Sequence, residues 1–182
     1  MNRTMVKPPV VLTLICLIVT AALVFTYQFT EPRIEAAKAA AADASRRQVL
    51  PEATEFIPVA LTPELSAITG GVVSEISRGE ADGQTVGWVF TCAAKGYGGN
   101  VVLMCGIDQD GLLTKIIIME HSETPGLGTK VTDESYTSRF IGTTAETYDQ
   151  VDGISGATYT SVALKTSIAA AFDIYEQVKE EN

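Results

Sequence analysis

The chain has 182 residues, 46% of them hydrophobic, which suits one compact domain plus an additional segment. Its formal charge of −9 is uneven: Arg3 and Lys7 give +2 before residue 31, so the remainder carries −11. An acidic body with no basic run, P-loop or zinc pattern excludes a nucleic-acid partner of the usual kind. One histidine, His121, and three cysteines without CxxC spacing also leave no ligand set for a His-rich metal site or an iron–sulfur centre.

From Pro8 to Thr30, 23 positions, no residue is charged. A helix of ~20 apolar residues crosses the hydrocarbon core. Tyr27 and Phe29 stand at the far end, where aromatic rings favour the interface. A cleaved signal peptide is the competing reading, but its apolar region is shorter, ~7–15 residues, and ends at small residues. A retained single span is therefore expected, with the basic N-terminus cytoplasmic and the bulk outside. Glu31 to Val49 is Ala-rich, with Pro32 in a position suited to a first helical turn, and reads as a stalk helix ended by Pro51. The division expected is residues 1–30 for the cytoplasmic N-terminus and span, 31–50 for the stalk, and 51–182 for an extracytoplasmic domain.

Pro51, Pro58 and Pro63 punctuate a loop or short-helix region. Gly71 to Ser77 reads as a strand. Gln84 to Ala94 alternates Val86, Trp88, Phe90 and Cys92 against Gly87, Val89, Thr91 and Ala93, a period of two that is apolar on both sides. The Gly-rich turn Lys95 to Gly99, the strand Asn100 to Ile107, the turn at Asp108–Gly111 and the strand Leu112 to Glu120 complete a three-stranded antiparallel meander. Cys92 and Cys105 fall on neighbouring strands where they could face each other, as two buried thiols or, alternatively, a disulfide. His121 to Lys130 is a loop, and Tyr136 to Ile141 a short helix with Phe140 and Ile141 inward. Val162 to Glu180 is a helix with Leu164, Ile168, Ala171, Phe172 and Tyr175 near one face. The fold class expected is α+β: an antiparallel sheet with packed helices, after one membrane helix and a stalk.

The stretch Asp152-Gly153-Ile154-Ser155-Gly156-Ala157-Thr158 is a helix start. Asp152 and Gly153 are turn residues, and Ser155 and Thr158 are N-cap candidates. Free N–H groups and the helix dipole suit an anion here, phosphate above all, though small hydroxylated residues before a helix also serve simply as caps. Asp-x-x-Ser-Gly-Ala-Thr resembles the target sequence of flavin transferases, which join FMN to a threonine through a phosphoester bond. Arg47-Gln48-Val49-Leu50-Pro51, Gly96-Tyr97-Gly98-Gly99 with the Val101–Asp108 strand, and His121-Ser122-Glu123-Thr124-Pro125-Gly126-Leu127-Gly128 precede it in order. Together they resemble the family of G subunits of the Rnf electron-transport complex.

The resemblance implies FMN on Thr158, with Ser155, Gly156, Ala157, Thr160 and Ser161 around the phosphate and ribityl chain. It lays the loop of Glu123, Thr124, Gly126, Leu127 and Gly128 against the flavin, where Glu123 is either a tuning charge or a cap. Tyr97 either lines the site or packs a hairpin tip. His121 is a structural hydrogen-bonding residue. No catalytic residue and no metal are expected. The implied function is that of one subunit of an ion-translocating oxidoreductase, inactive alone, in a complex coupling ferredoxin–NAD electron exchange to sodium-ion or proton movement. Its partners would be the other membrane and peripheral subunits, and a flavin transferase during maturation. It would be a single-pass protein of the cell membrane. The alternatives are the C subunit of a sodium-pumping quinone reductase, which is usually longer, and an FMN-binding sensor or assembly module of a membrane regulator.

Overall fold

The computed structural model describes residues 3–179. Residues 1, 2 and 180–182, including the expected helix end at Glu180, lie outside them. Two compact units divide between Asp43 and Ala44.

The first unit is helical. Helix α1, Arg3–Val49, is continuous, so the expected span and stalk form one element that runs on into the second unit. Pro32 therefore lies inside a helix and not in a first turn. From Val10 to Phe29 the large apolar side chains stand exposed, and this is a helix long and apolar enough to cross a membrane. Thr13 and Thr26 return their hydroxyls to Pro9 O and Ala22 O, each at 2.9 Å. Such bonds satisfy a hydroxyl within the helix, as an apolar surrounding requires.

The second unit holds a five-stranded sheet in the order β1-β2-β3-β4-β5, with neighbours antiparallel: β1 Glu55–Val59, β2 Val73–Ala81, β3 Gln84–Lys95, β4 Asn100–Asp108 and β5 Leu113–Glu120. The expected meander is its β3–β5 portion. Strand β2 continues past Ser77 to a two-residue turn, Asp82–Gly83, where φ of 52° and 76° gives the doubly left-handed geometry that suits a twisted hairpin. The region expected as loop or short helix contains a strand, β1, with Pro58 opposite Ser77. Proline is tolerated because β1 is an edge strand, with no strand beyond it among the described residues to receive an N–H. Helix α2, Pro63–Ile68, follows with Thr62 as N-cap, accepting from Leu65 N at 3.3 Å.

After the sheet come the short helices α3, Thr129–Thr132, and α4, Glu134–Thr137, then 3-10 turns at Ser138–Phe140 and Tyr148–Gln150. Phe140 is buried as expected, but Ile141 is 50% exposed and Tyr136 takes the inward place. The helix tightens to 3-10 at Ser138, which changes the spacing of its inward positions. The rings of Tyr136 and Phe140 meet edge-on at 5.6 Å.

Helix α5, Thr158–Val178, covers one sheet face. Leu164, Ile168, Ala171, Phe172 and Tyr175 are all buried among Trp88, Phe90, Leu103 and Ile107. Trp88 and Tyr175 meet edge-to-face at 5.3 Å. Cys92 and Cys105 are free thiols in this core, each opposite the other's neighbour but one, Leu103 and Phe90. A hydrogen bond with Cys105, then burial, raises the Cys92 thiol well above its usual range, so it stays protonated and inert.

The opposite face is covered by residues 46–53. Val49 and Leu50 are fully buried there. A Cβ at Gly79 would lie 2.5 Å from Leu50 Cδ2 and 2.9 Å from Ala53 Cβ, and one at Gly106 would strike Val49 O. Thr114 donates its hydroxyl to that same carbonyl. The segment thus fits a recess that only glycine leaves open.

Candidate functional site

Three segments far apart in sequence meet at one end of the sheet. The β3–β4 turn brings Tyr97, 73% exposed. The loop after β5 brings Glu123 to Gly128. The start of α5 brings Gly156 to Thr160. Between them is a cavity of about 350 Å³, within the ~300–1,000 Å³ of small-molecule sites.

Two tight turns shape its walls. Thr124-Pro125-Gly126-Leu127 closes through Leu127 N donating to Thr124 O at 3.2 Å, with Gly126 at φ 76°. Ile154-Ser155-Gly156-Ala157 closes likewise through Ala157 N to Ile154 O at 3.0 Å, with Gly156 at φ 83°. Both place glycine at the third position, where a left-handed residue is required. The turns touch: a Cβ on Gly156 would sit 3.2 Å from Leu127 Cδ1.

The N-cap of α5 is Ala157, with no side-chain cap bond. Neither Ser155 nor Thr158 caps the helix, contrary to expectation. Ser155 lies in the preceding turn, and Thr158 is already the first helical residue. The first-turn N–H groups, which have no intrahelical partner, keep their capacity for an anion. Thr158 is exposed, and its hydroxyl has no hydrogen-bond partner among the described residues. The neighbouring hydroxyls differ. Thr160 donates to Glu123 Oε2 at 2.7 Å, and Ser161 Oγ accepts from Ile154 N at 3.1 Å.

Glu123 is buried, 6% exposed. Its Oε1 accepts from Tyr97 N at 2.9 Å and Gly98 N at 3.2 Å. A Cβ at Gly96 or Gly128 would strike its carboxylate, and one at Gly98 would strike Ser122 O. These glycines make room for Glu123 and its own chain. His121 accepts from Glu123 N at 3.4 Å through Nδ1, a structural contact.

Of the residues expected at a flavin, Tyr97, Glu123, Thr124, Leu127, Gly156, Ala157, Thr158 and Thr160 line the cavity, and so does Gly128. Ser155, Ser161 and Gly126 stand outside it and shape the turns. Tyr159 was not expected. It is 70% exposed, and its ring lies 6.2 Å from that of Tyr97, tilted 45°. Its only sequence signal was its place directly after Thr158. Among the described residues no group of His, Cys, Asp or Glu is arranged to hold a metal ion. A cavity with free helix-start donors at one side and exposed aromatic rings at another fits a phosphate joined to a flat heterocycle.

Residues 96–173 match the FMN-binding domain family model, and residues 1–49 match that of the RnfG N-terminal region. Over 98% of its length the chain is 28% identical to the G subunit of the Na(+)-translocating ferredoxin:NAD(+) oxidoreductase complex of Acetobacterium woodii, covering 95% of that protein. It is 29% identical, over 94% of its length, to the G subunit of the ion-translocating oxidoreductase complex of Methanosarcina acetivorans, again covering 95%. The crystal structure of Shewanella oneidensis NqrC superposes with a TM-score of 0.50 at 20% identity, covering 60% of this chain and 62% of that one. That likeness concerns the fold.

The matched family models and the apolar helix together define a membrane-anchored protein with an FMN-binding domain. Within that class, the chain belongs to the RnfG family, the G subunits of ion-translocating oxidoreductase complexes.

Proposed function

We propose that FMN is joined by a phosphoester to Thr158, and that the chain carries electrons within a complex that couples ferredoxin–NAD exchange to ion translocation. The observation that carries this reading is the Thr158 hydroxyl, exposed at the first position of α5 and opening on the cavity. Thr160 is a poor acceptor by comparison, since its hydroxyl is buried and bonded to Glu123. The phosphoester places a negative charge at the positive end of a 21-residue helix whose first turn holds no acid.

When bound, FMN supplies reversible uptake and release of electrons. The chain's part is to hold and orient it. Leu127 packs where Gly156 leaves room, Tyr97 and Tyr159 flank the opening, and the first-turn N–H groups meet the phosphate. Attachment by a flavin transferase fixes a cofactor that would otherwise diffuse from an extracytoplasmic domain. Residues 1–30 serve as N-terminus and span, 31–50 as stalk and 51–182 as the flavin domain, with the N-terminus cytoplasmic. The other membrane and peripheral subunits are its electron partners.

The test begins with the intact mass of protein purified from its native host, expected to exceed the polypeptide by one FMN less water. Thr158→Ala is expected to remove that mass, and Thr160→Ala to keep most of it at the end point. In membrane vesicles, the Thr158→Ala complex is expected to assemble but to lose ferredoxin–NAD exchange and ion transport. A denaturation-resistant flavin in Thr158→Ala would overturn the attachment site. Normal exchange in an assembled, flavin-free complex would overturn the carrier role. Protease added to wall-stripped cells is expected to reach the domain, and full protection would reverse the orientation.

A further inference from the structure

We propose that Glu123 is the positioning residue of the flavin site: a carboxylate latch that holds the Tyr97 turn against the helix start presenting Thr158 and Tyr159. The inference rests on reading Thr158 as the attachment point.

Glu123 is the one buried carboxylate among the described residues. Burying a carboxylate is unfavourable unless hydrogen bonds replace its water. Here three donors do so, and they come from two other segments. Oε1 takes Tyr97 N and Gly98 N, 26 and 25 residues away, and Oε2 takes the Thr160 hydroxyl, 37 residues away in the other direction. A carboxylate suits this place because all three partners donate and it accepts at both oxygens. The fit is tight, since Gly96 and Gly128 lack the Cβ that would displace the carboxylate.

Each bond fixes something on the cavity wall. Tyr97 carries the exposed ring that faces Tyr159 at 6.2 Å. Thr160 lies in the same helical turn as Thr158, so anchoring its hydroxyl sets the direction in which Thr158 is offered. Without the latch, two part-buried N–H groups lose their acceptor, and the turn and the helix start are free to separate.

Glutamine and alanine distinguish geometry from bulk. In Glu123→Gln the carbonyl can keep Tyr97 N and Gly98 N, while the amide donates to the Thr160 hydroxyl, which turns to accept. Glu123→Ala removes all three bonds. Thr160→Val removes one with nearly the same shape, and serves where Glu123→Ala fails to fold.

The experiment uses the full chain in detergent. In a flavin-free Thr158→Ala background, amide exchange at Tyr97 and Gly98 is followed by NMR or mass spectrometry. In the Thr158 background, the initial rate of FMN attachment is measured by intact mass with limiting flavin transferase. Glu123→Ala is expected to speed exchange and to slow attachment by ~tenfold each, the scale of an abandoned buried donor. Thr160→Val is expected to slow attachment by ~threefold, and Glu123→Gln to stay within about twofold of the parent in both. Unchanged exchange in Glu123→Ala, or unchanged attachment in Thr160→Val where alanine does not fold, overturns the latch. Equal losses in glutamine and alanine overturn it too, because charge rather than geometry would then be responsible. If the parent carries no FMN on Thr158, the attachment reading fails, and the exchange measurement still decides the latch.

Discussion

Two glycine-lined recesses in the domain have opposite contents. On one face of the sheet, Gly79 and Gly106 admit the backbone and side chains of residues 49–53. At the end of the sheet, Gly96 and Gly128 admit a single carboxylate, Glu123. The first recess is filled by Val49 and Leu50, fully buried, and its contribution is burial of apolar surface. The second is filled by a charge whose burial is unfavourable, offset by three hydrogen bonds, and it borders the cavity. One recess packs the domain's apolar interior, and the other borders the candidate site.

The difference can be broken from the structural side first. Gly106→Val would drive side-chain atoms into Val49 O and displace its bond from Thr114. It is expected to cost about 3 kcal/mol or more. The unfolding midpoint of the full chain in detergent, followed by the fluorescence of the buried Trp88, measures it. A loss under about 1 kcal/mol would mean that residues 46–53 do not occupy that recess. Leu50→Ala in the same assay is expected to cost about 2–4 kcal/mol, with FMN attachment retained.

Gly156→Ala sharpens the comparison from the other side. It forces a left-handed residue, costing about 1–2 kcal/mol, and presses a methyl group on Leu127 at 3.2 Å. Its stability loss is expected to be smaller than that of Leu50→Ala, while FMN attachment falls. Stability reduced as much as in Leu50→Ala with attachment intact would merge the two roles. The smallest effect belongs to Glu75→Gln. Its carboxylate meets Arg46 at 2.6 Å but is 46% exposed, so the loss is expected to stay within about 1 kcal/mol and to shrink with added salt.

The elements readable in the sequence were those whose signals are local. Trp88, Phe90 and Cys92 alternate within β3, and Leu164, Ile168 and Tyr175 recur along α5, so period alone identified strand, helix and buried face. The seven residues ending at Thr158 were legible as a helix start. What escaped was long-range. Pro58 argues against a strand until β2 is seen beside it. Gly96 and Gly128 resemble ordinary turn glycines until Glu123 is seen between them. Ile141 faces outward because the chain tightens to a 3-10 turn three residues earlier. The absent side-chain cap on α5 was missed because Ser155 and Thr158 have the right chemistry two residues too early and one residue too late.

Pro58 has a consequence for how the protein keeps company. The free side of a terminal strand is a row of donors and acceptors, a template on which another polypeptide can lengthen the sheet. Proline deletes a donor from the middle of β1, and Glu55 opens the same strand with a charge. At the other border, the first residue of β5 is paired with its own chain: Leu113 N donates to Thr143 O at 2.9 Å, and Gly142 N donates to Leu113 O at 2.7 Å. Both borders discourage extension. The sheet is therefore a poor seed for intermolecular cross-β growth.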